Sequence, residues 1–335
     1  LSIILILCLS MTLFVGCQGG DAAKGSEGKA NKKEFVTLVT GGTGGTYYPV
    51  GTIFTTLWNE KLGDQGVQAS VQSSGGSVEN LNMLKAGEAQ FGIAMANLTL
   101  FAYNGEERFK DNKFEDVRFV TALWPDVTQF VVTEDSGIKT LQDIKGKRFS
   151  VDSAGSGTEY STKLILDTIA GIKYEDFNPE YLGYSESSSA VQTRQVDGMN
   201  AEGGLPTSAV SEITASKTKV NILEFSDEDF IKLNKIAPYY GQFTIPKGLY
   251  TGVDKDIKTV GVKSTLITHA DLDEDLVYEL TKAIYENYEE IVGSHKALEY
   301  MGIDGSVEGL PPVPLHKGAL KYYEEKGIEV PQQLK

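Results

Sequence analysis

Cysteine is nearly missing from this chain, histidine is scarce and positive charge is in short supply. Of 335 residues only Cys8 and Cys17 carry a thiol, and both lie near the start. No disulfide can therefore tie the body of the chain, and no cysteine there can bind a metal or act as a nucleophile. The three histidines, His269, His295 and His316, fall in the last third and form no H-x-x-x-H or H-E-x-x-H spacing, which removes the commonest route to a zinc hydrolase. Lysine and arginine number 31 against 46 aspartates and glutamates, a formal net charge of -15. Nucleic acid and anionic lipid both demand a basic footprint, so neither is an expected partner. The acidic pairs Glu289-Glu290 and Glu324-Glu325 sit on helical stretches with a solvated face. Neither catalytic residues nor a metal or other cofactor are expected: the chain reads as a binder, not an enzyme.

What the sequence does have begins at its N-terminus. Leu1 to Gly16 is an uncharged apolar run, too short to span a bilayer comfortably but of the length of a secretory h-region. It starts without Met and without a positive n-region, as a clipped start would. Its end, Phe14-Val15-Gly16-Cys17, resembles the lipobox at which bacterial lipoproteins are cut and acylated, with Phe14 in place of the usual Leu. The expectation is a lipoprotein-type signal peptide over 1–16, lipidation at Cys17 and a flexible tether over 17–34, where Gly, Ala, Ser and Lys dominate without apolar period. The protein would be exported and held by that lipid on the extracytoplasmic face of a membrane.

From there the pattern alternates apolar strand, glycine-rich joint and amphipathic helix. FVTLVT leads through GGTGGTYY to a helix near Val50 to Leu62, and VQASVQ leads through SSGG to a helix from Ser77 to Lys85. VRFVTALW and VTQFVVT read as two separate strands, IKTLQDI as a helix, EYLGYS as a strand and GMNAEGG as a strand ahead of Pro206. Near the end Leu276, Leu280, Ile284 and Tyr288 recur at helical spacing. Strands alternating with helices imply parallel sheet and an α/β class.

Four strand-to-helix joints share one composition: Gly41 to Tyr48, Ser73 to Ser77, Gly155 to Glu159 and Gly203 to Ser208. Joints of this kind fall beyond the carboxyl ends of the strands, where α/β sheets bind ligands. Each helix start offers free N–H groups and the positive end of a dipole, glycine permits close approach, and Ser/Thr hydroxyls add donors. Together they would cradle an anion with few charged side chains. No Gly-Lys-Ser/Thr follows the first joint, and Gly42, Gly44 and Thr46-Tyr47 supply no third glycine of a dinucleotide fingerprint. Ser156 lacks the G-x-S-x-G frame of a nucleophile elbow. Of the adjacent tyrosines opening the first helix, Tyr47 is expected to face the ligand. Trp124 could line a crevice or pack, and Arg148 and Arg194 are the nearest candidates for a carboxylate clamp.

As a set, GGTGGTYYPVG, SGGSVENLNMLKAGEAQFGIA, IKTLQDIKGKRFSV with GSGTE, YLGYSESSSAV, IPKGLYTGVDKDIKTVGV and VPLHKGALKYYEEKGI resemble, in order and spacing, the TAXI family. Its members are extracytoplasmic solute receptors of tripartite ATP-independent periplasmic (TRAP) transporters. The resemblance implies a type II periplasmic-binding-protein fold, with two α/β domains joined by two crossing strands and a ligand cleft between them. Domain I would be 35–128 plus 262–335 and domain II 129–261. It implies a monomer that takes a small carboxylate, such as glutamate, a related amino acid or a 2-oxoacid, and passes it to TRAP membrane subunits, or else reports it to a signalling partner. Carried onto this sequence, the ligand-binding residues would be Gly44, Gly45, Thr46, Tyr47, Ser74, Gly76, Ser77 and Asn80 in domain I. Ser156, Gly157, Thr158, Gly203, Gly204 and Pro206 would face them from domain II. The segment GMNAEGG, Gly198 to Gly204, departs from the more apolar strand of that family.

Overall fold

The alternation of strand and helix is realised in a computed structural model that describes residues 33–335, one compact unit. The expected signal segment, Cys17 and the tether as far as residue 32 lie outside the described residues. A ten-stranded sheet runs through the described residues. On one side β1 (Glu34–Val39), β2 (Val67–Gln72) and β3 (Phe91–Met95) pair in parallel. On the other, β5 (Arg148–Ser150), β6 (Asn178–Glu180) and β7 (Gly198–Gly203) also pair in parallel. Between them lie two long antiparallel strands, β4 (Val117–Thr133) and β10 (Ile257–His269). The end of β4 pairs with β7, and the end of β10 pairs with β3. Two short strands, β8 (Val220–Ile222) and β9 (Gly241–Ile245), are added beside β4 and β10. The result is the expected α/β architecture, two halves joined by two crossing strands. The boundaries proposed at 128/129 and 261/262 fall inside these strands.

VRFVTALW and VTQFVVT are one continuous strand and not two. Pro125 lies within it, where a proline removes a ladder donor and normally ends a strand. Here it stands opposite Lys263 at a register shift between Lys263 and Thr265, and the Ser264 hydroxyl donates to the Trp124 carbonyl at 2.7 Å. The irregularity accommodates the proline. IKTLQDI forms only a 3₁₀ turn, Leu141–Ile144, closed by a Thr140–Asp143 capping box. EYLGYS contributes only the end of β6, because the N–H of Ser187 bonds the Gly183 carbonyl at 2.8 Å and starts a helix at Tyr184.

The helices that bear on the cleft are α1 (Tyr47–Leu62), α2 (Ser77–Lys85), α3 (Ala96–Asn104), α4 (Gly157–Ile165), α5 (Tyr184–Gln192) and α6 (Ser208–Ala215). α3 has no clear sequence period because it is apolar nearly all round and mostly buried. A charged helix, α7 (Asp227–Ile236), is capped by Ser226 and packs few of its residues inward. α8 (Glu274–Glu286) buries the expected stripe at Leu276, Leu280 and Ile284, whereas Tyr288 lies past its end and bonds the Leu298 carbonyl at 2.8 Å. Trp58 and Trp124 are both fully buried.

Asn80 shows how the joints are fixed. Its amide donates to the Thr40 and Ile93 carbonyls at 2.5 and 2.7 Å and accepts from the Ser74 hydroxyl at 2.6 Å. One side chain thus ties the ends of β1 and β3 to the joint before α2. Replacing it by alanine orphans buried carbonyls, so Asn80→Ala is expected to lower unfolding free energy by about 2–4 kcal/mol in urea titration.

Candidate functional site

The strand-to-helix joints of both halves converge on one partly open cavity of about 50 Å³. Gly41, Gly42, Gly45, Thr46 and Tyr47 line it from the β1–α1 joint, and Gly75, Gly76 and Ser77 from the β2–α2 joint. Across from them stand Ser156, Gly157 and Thr158 at the start of α4, and Gly183 and Tyr184 at the start of α5. Met95, at the end of β3, gives an apolar wall. No side chain caps α1, α2 or α5, whereas Ser156 caps α4 through the Glu159 N–H at 3.0 Å. Uncapped helix starts present backbone donors and positive dipole ends to the cavity.

The two walls touch. The Thr46 hydroxyl donates to the Gly204 carbonyl at 2.8 Å, and the Ala209 N–H donates to the Gly44 carbonyl at 3.0 Å. A Cβ on Gly44 would lie 2.9 Å from the Ser185 backbone nitrogen, and one on Gly157 would lie 2.8 Å from the Met95 sulfur. Glycine at these positions is what lets the halves approach.

Of the residues expected from the sequence, Gly45, Thr46, Tyr47, Gly76, Ser77, Ser156, Gly157 and Thr158 border this cavity. The others do not. Gly44 packs on the start of α5, and Asn80 is the buried clamp described above. Ser74 borders a second opening alongside, with Gly42, Glu79 and Ser153. Gly203 and Gly204 lie behind Thr46, with Trp124 and Ala297 against Gly204, and Pro206 follows a cis peptide bond on the way to α6. Tyr47, and not Tyr48, reaches the cavity; its hydroxyl donates to Asp126 at 2.5 Å and its ring packs edge-on to Trp124. Trp124 therefore packs and does not line the crevice, its Nε1 donating to Asp126 at 3.2 Å. Arg148 pairs with Asp197 at 2.9 Å and Arg194 with Asp135 at 2.7 Å, both away from the cavity. Each histidine serves as a helix-start or turn acceptor, its Nδ1 taking the N–H two residues on.

Sequence reading missed the acids. Asp152 and Glu202 both border the cavity and are nearly fully buried. Burial pushes Asp152 up to about 7 and Glu202 up to about 8, because no cation stands by to repay their desolvation. Asp126, behind Tyr47, is likewise raised by burial to about 7. Asp152 sits at a left-handed backbone angle (φ 75°), which asparagine and aspartate tolerate better than other side chains. Among the described lining residues there is no Lys, Arg or His. The signal was present in GMNAEGG: Asn200 and Glu202 alternate on one face of a strand whose every residue is buried.

Outside the cavity a further contact spans the cleft. Arg108, just after α3, pairs with Glu159 of α4 and lies 5.8 Å from the centre of the Tyr160 ring. Phe101 of α3 meets both Tyr160 and Tyr239 edge-on. Arg108→Ala would leave the buried Glu159 carboxylate without its counter-charge, at a cost of the order of 2 kcal/mol, read as a lower urea midpoint with an unchanged far-UV spectrum.

The NMT1-like family profile matches residues 38–327. The chain belongs to the NMT1-like family. Among solved structures, this NMT1-like protein is similar to the alkanesulfonate-binding protein SsuA from Xanthomonas axonopodis pv. citri bound to MOPS, at 16% identity and TM-score 0.50, covering 90% of this chain and 96% of that one. It is also similar to PhnD1 from Prochlorococcus marinus (MIT 9301) in complex with methylphosphonate, at 11% identity and TM-score 0.51, covering 80% and 88%. A chain from Bordetella bronchiseptica RB50 gives 19% identity and TM-score 0.52, covering 90% and 91%. At such identities the likeness is one of fold: the NMT1-like protein has the mixed α/β fold of periplasmic binding proteins. No helix among its described residues is long and apolar enough to cross a membrane.

Proposed function

We propose that this NMT1-like protein is an extracytoplasmic solute receptor that closes on a small carboxylate and passes it to the membrane subunits of a TRAP transporter. The observation that carries the reading is the convergence of glycine-rich helix starts from both halves on one cavity without a basic side chain. A carboxylate there would rest on the backbone N–H groups of the uncapped α1 and α2 and on the Ser77 hydroxyl. The solute class is a small carboxylate such as glutamate, a related amino acid or a 2-oxoacid, admitted by opening of the two halves.

The two halves would be domains 35–128 plus 262–335 and 129–261, hinged on β4 and β10. An open form would admit the solute, and contacts with both walls would shift the population toward the closed one. The TRAP route is carried by the TAXI-like motifs along the chain, and a lipid on Cys17 would keep the receptor, a monomer, at the membrane. Binding, not turnover, is the activity.

The reading is tested by a thermal-shift panel of amino acids, 2-oxoacids, MOPS and methylphosphonate. A carboxylate at a hundredfold excess over its Kd is expected to stabilise the chain by about 2.7 kcal/mol. Stabilisation by the sulfonate or phosphonate with none by any carboxylate overturns the ligand class. Uptake of the bound solute by proteoliposomes with TRAP subunits but no ATP checks the route.

A further inference from the structure

Glu202 borders the cavity, and around and behind it lie buried polar atoms that meet no partner at hydrogen-bonding geometry. Glu202 accepts the Thr128 hydroxyl on Oε1 at 2.6 Å, but its Oε2 is buried without a hydrogen-bond partner. The same holds for the Ser161 hydroxyl on α4, the Tyr240 hydroxyl just before β9 and the Asn200 amide oxygen. The first two face Glu202, and Asn200 lies two residues before it on the same strand face. A buried polar atom left unpaired costs about 1–3 kcal/mol, and such atoms clustered beside a ligand cavity ask for an occupant. All these atoms can accept a hydrogen bond, and Glu202 is the one carboxylate among them.

We propose that Glu202, with Ser161 and Tyr240 beside it, forms a subsite for a primary ammonium group of the captured solute. The inference rests on reading the cavity as the solute site and narrows that solute to an amine. Asp152 is the weaker candidate, because its carboxyl already faces the Ser153 N–H and the Ser156 and Thr158 hydroxyls at the start of α4. The groups facing Glu202 are Asp126 of β4, Asp152 of the β5–α4 joint, Tyr184 of α5 and Tyr240, none of them basic. On α4, Glu159 is turned to Arg108. The carboxyl of Glu202 is therefore protonated in the empty site near neutral pH, its value lying at about 8. An arriving ammonium ion supplies the missing positive charge. The Glu202 O–H bond breaks, the proton passes to the buffer, and the carboxylate stays paired with the solute's ammonium group. Capture is thus coupled to release of one proton, and affinity for an amine climbs with pH as far as about 8.

Calorimetry decides it. The full chain is titrated at pH 7, in two buffers of different ionisation enthalpy, with L-glutamate, 2-oxoglutarate, L-valine, 3-methyl-2-oxobutanoate and 1,4-diaminobutane. An amino acid is expected to bind about thirtyfold more tightly than its oxoacid, with release of up to one proton per ligand. Glu202→Gln keeps the acceptor for Thr128 but should lose both the preference and the proton release. Should that variant fail to fold, proton release by the native chain decides alone. Equal binding of amino acid and oxoacid, or amine binding without proton release, overturns the subsite while leaving the carboxylate receptor standing. Binding of the diamine alone supports the subsite and overturns the carboxylate. Binding of none overturns both.

Discussion

The antiparallel pairing of β4 with β10 is the constraint on which the rest of this protein depends. Each strand is long enough to belong to both halves, so the pair both separates and joins them. Since the flanking strands run parallel within each half, their glycine-rich carboxyl ends and the helix starts that follow are brought to a shared seam. Pro125 lies inside β4 near the point where its pairing passes from β10 to β7, and Lys263 and Ser264 bend the partner to suit it. A break in the ladder at a crossing is a natural place for hinge motion, because fewer main-chain bonds resist it there.

The electrostatics of the seam follow from a chain with little basic charge to place. Uncapped helix starts and no basic side chain border the cavity among the described residues, while the acids Asp126, Asp152 and Glu202 are buried at it or behind it. Desolvation raises all three acids, Asp126 and Asp152 to about 7 and Glu202 to about 8, so near neutral pH they carry only part of their full negative charge. Tyr47 mediates between the two regions, with its ring at the cavity and its hydroxyl on Asp126.

Much of this was legible in the sequence. The alternation of strand and helix gave the class, and three of the four glycine joints singled out do border the cavity, although Gly beside Ser or Thr at a helix start is also ordinary cap and turn chemistry. Tyr47 was distinguishable from Tyr48 only weakly, since both open the same helix and a rotation of about 100° decides which ring faces inward. Gly44, Gly203 and Gly204 carry the same composition as the lining residues yet pack behind them, for space against Ser185, Thr46 and Trp124 and not for a ligand. Composition cannot tell close approach of a ligand from close approach of a neighbouring element. Asp152 and Glu202 were hidden for the opposite reason: a lone acid after a strand is ordinarily solvated, and only tertiary packing buries these. α3 escaped notice because a helix apolar on all sides has no period to read.

Hydrogen exchange with and without a bound solute bears most directly on the central claim, that solute is held between the helix starts of the two halves. The account predicts slowed exchange at 44–48, 75–79, 156–160 and 183–187, in both halves together. Protection confined to one half, or centred on the exposed apolar side chains Ile231, Ile236 and Tyr300, would contradict it.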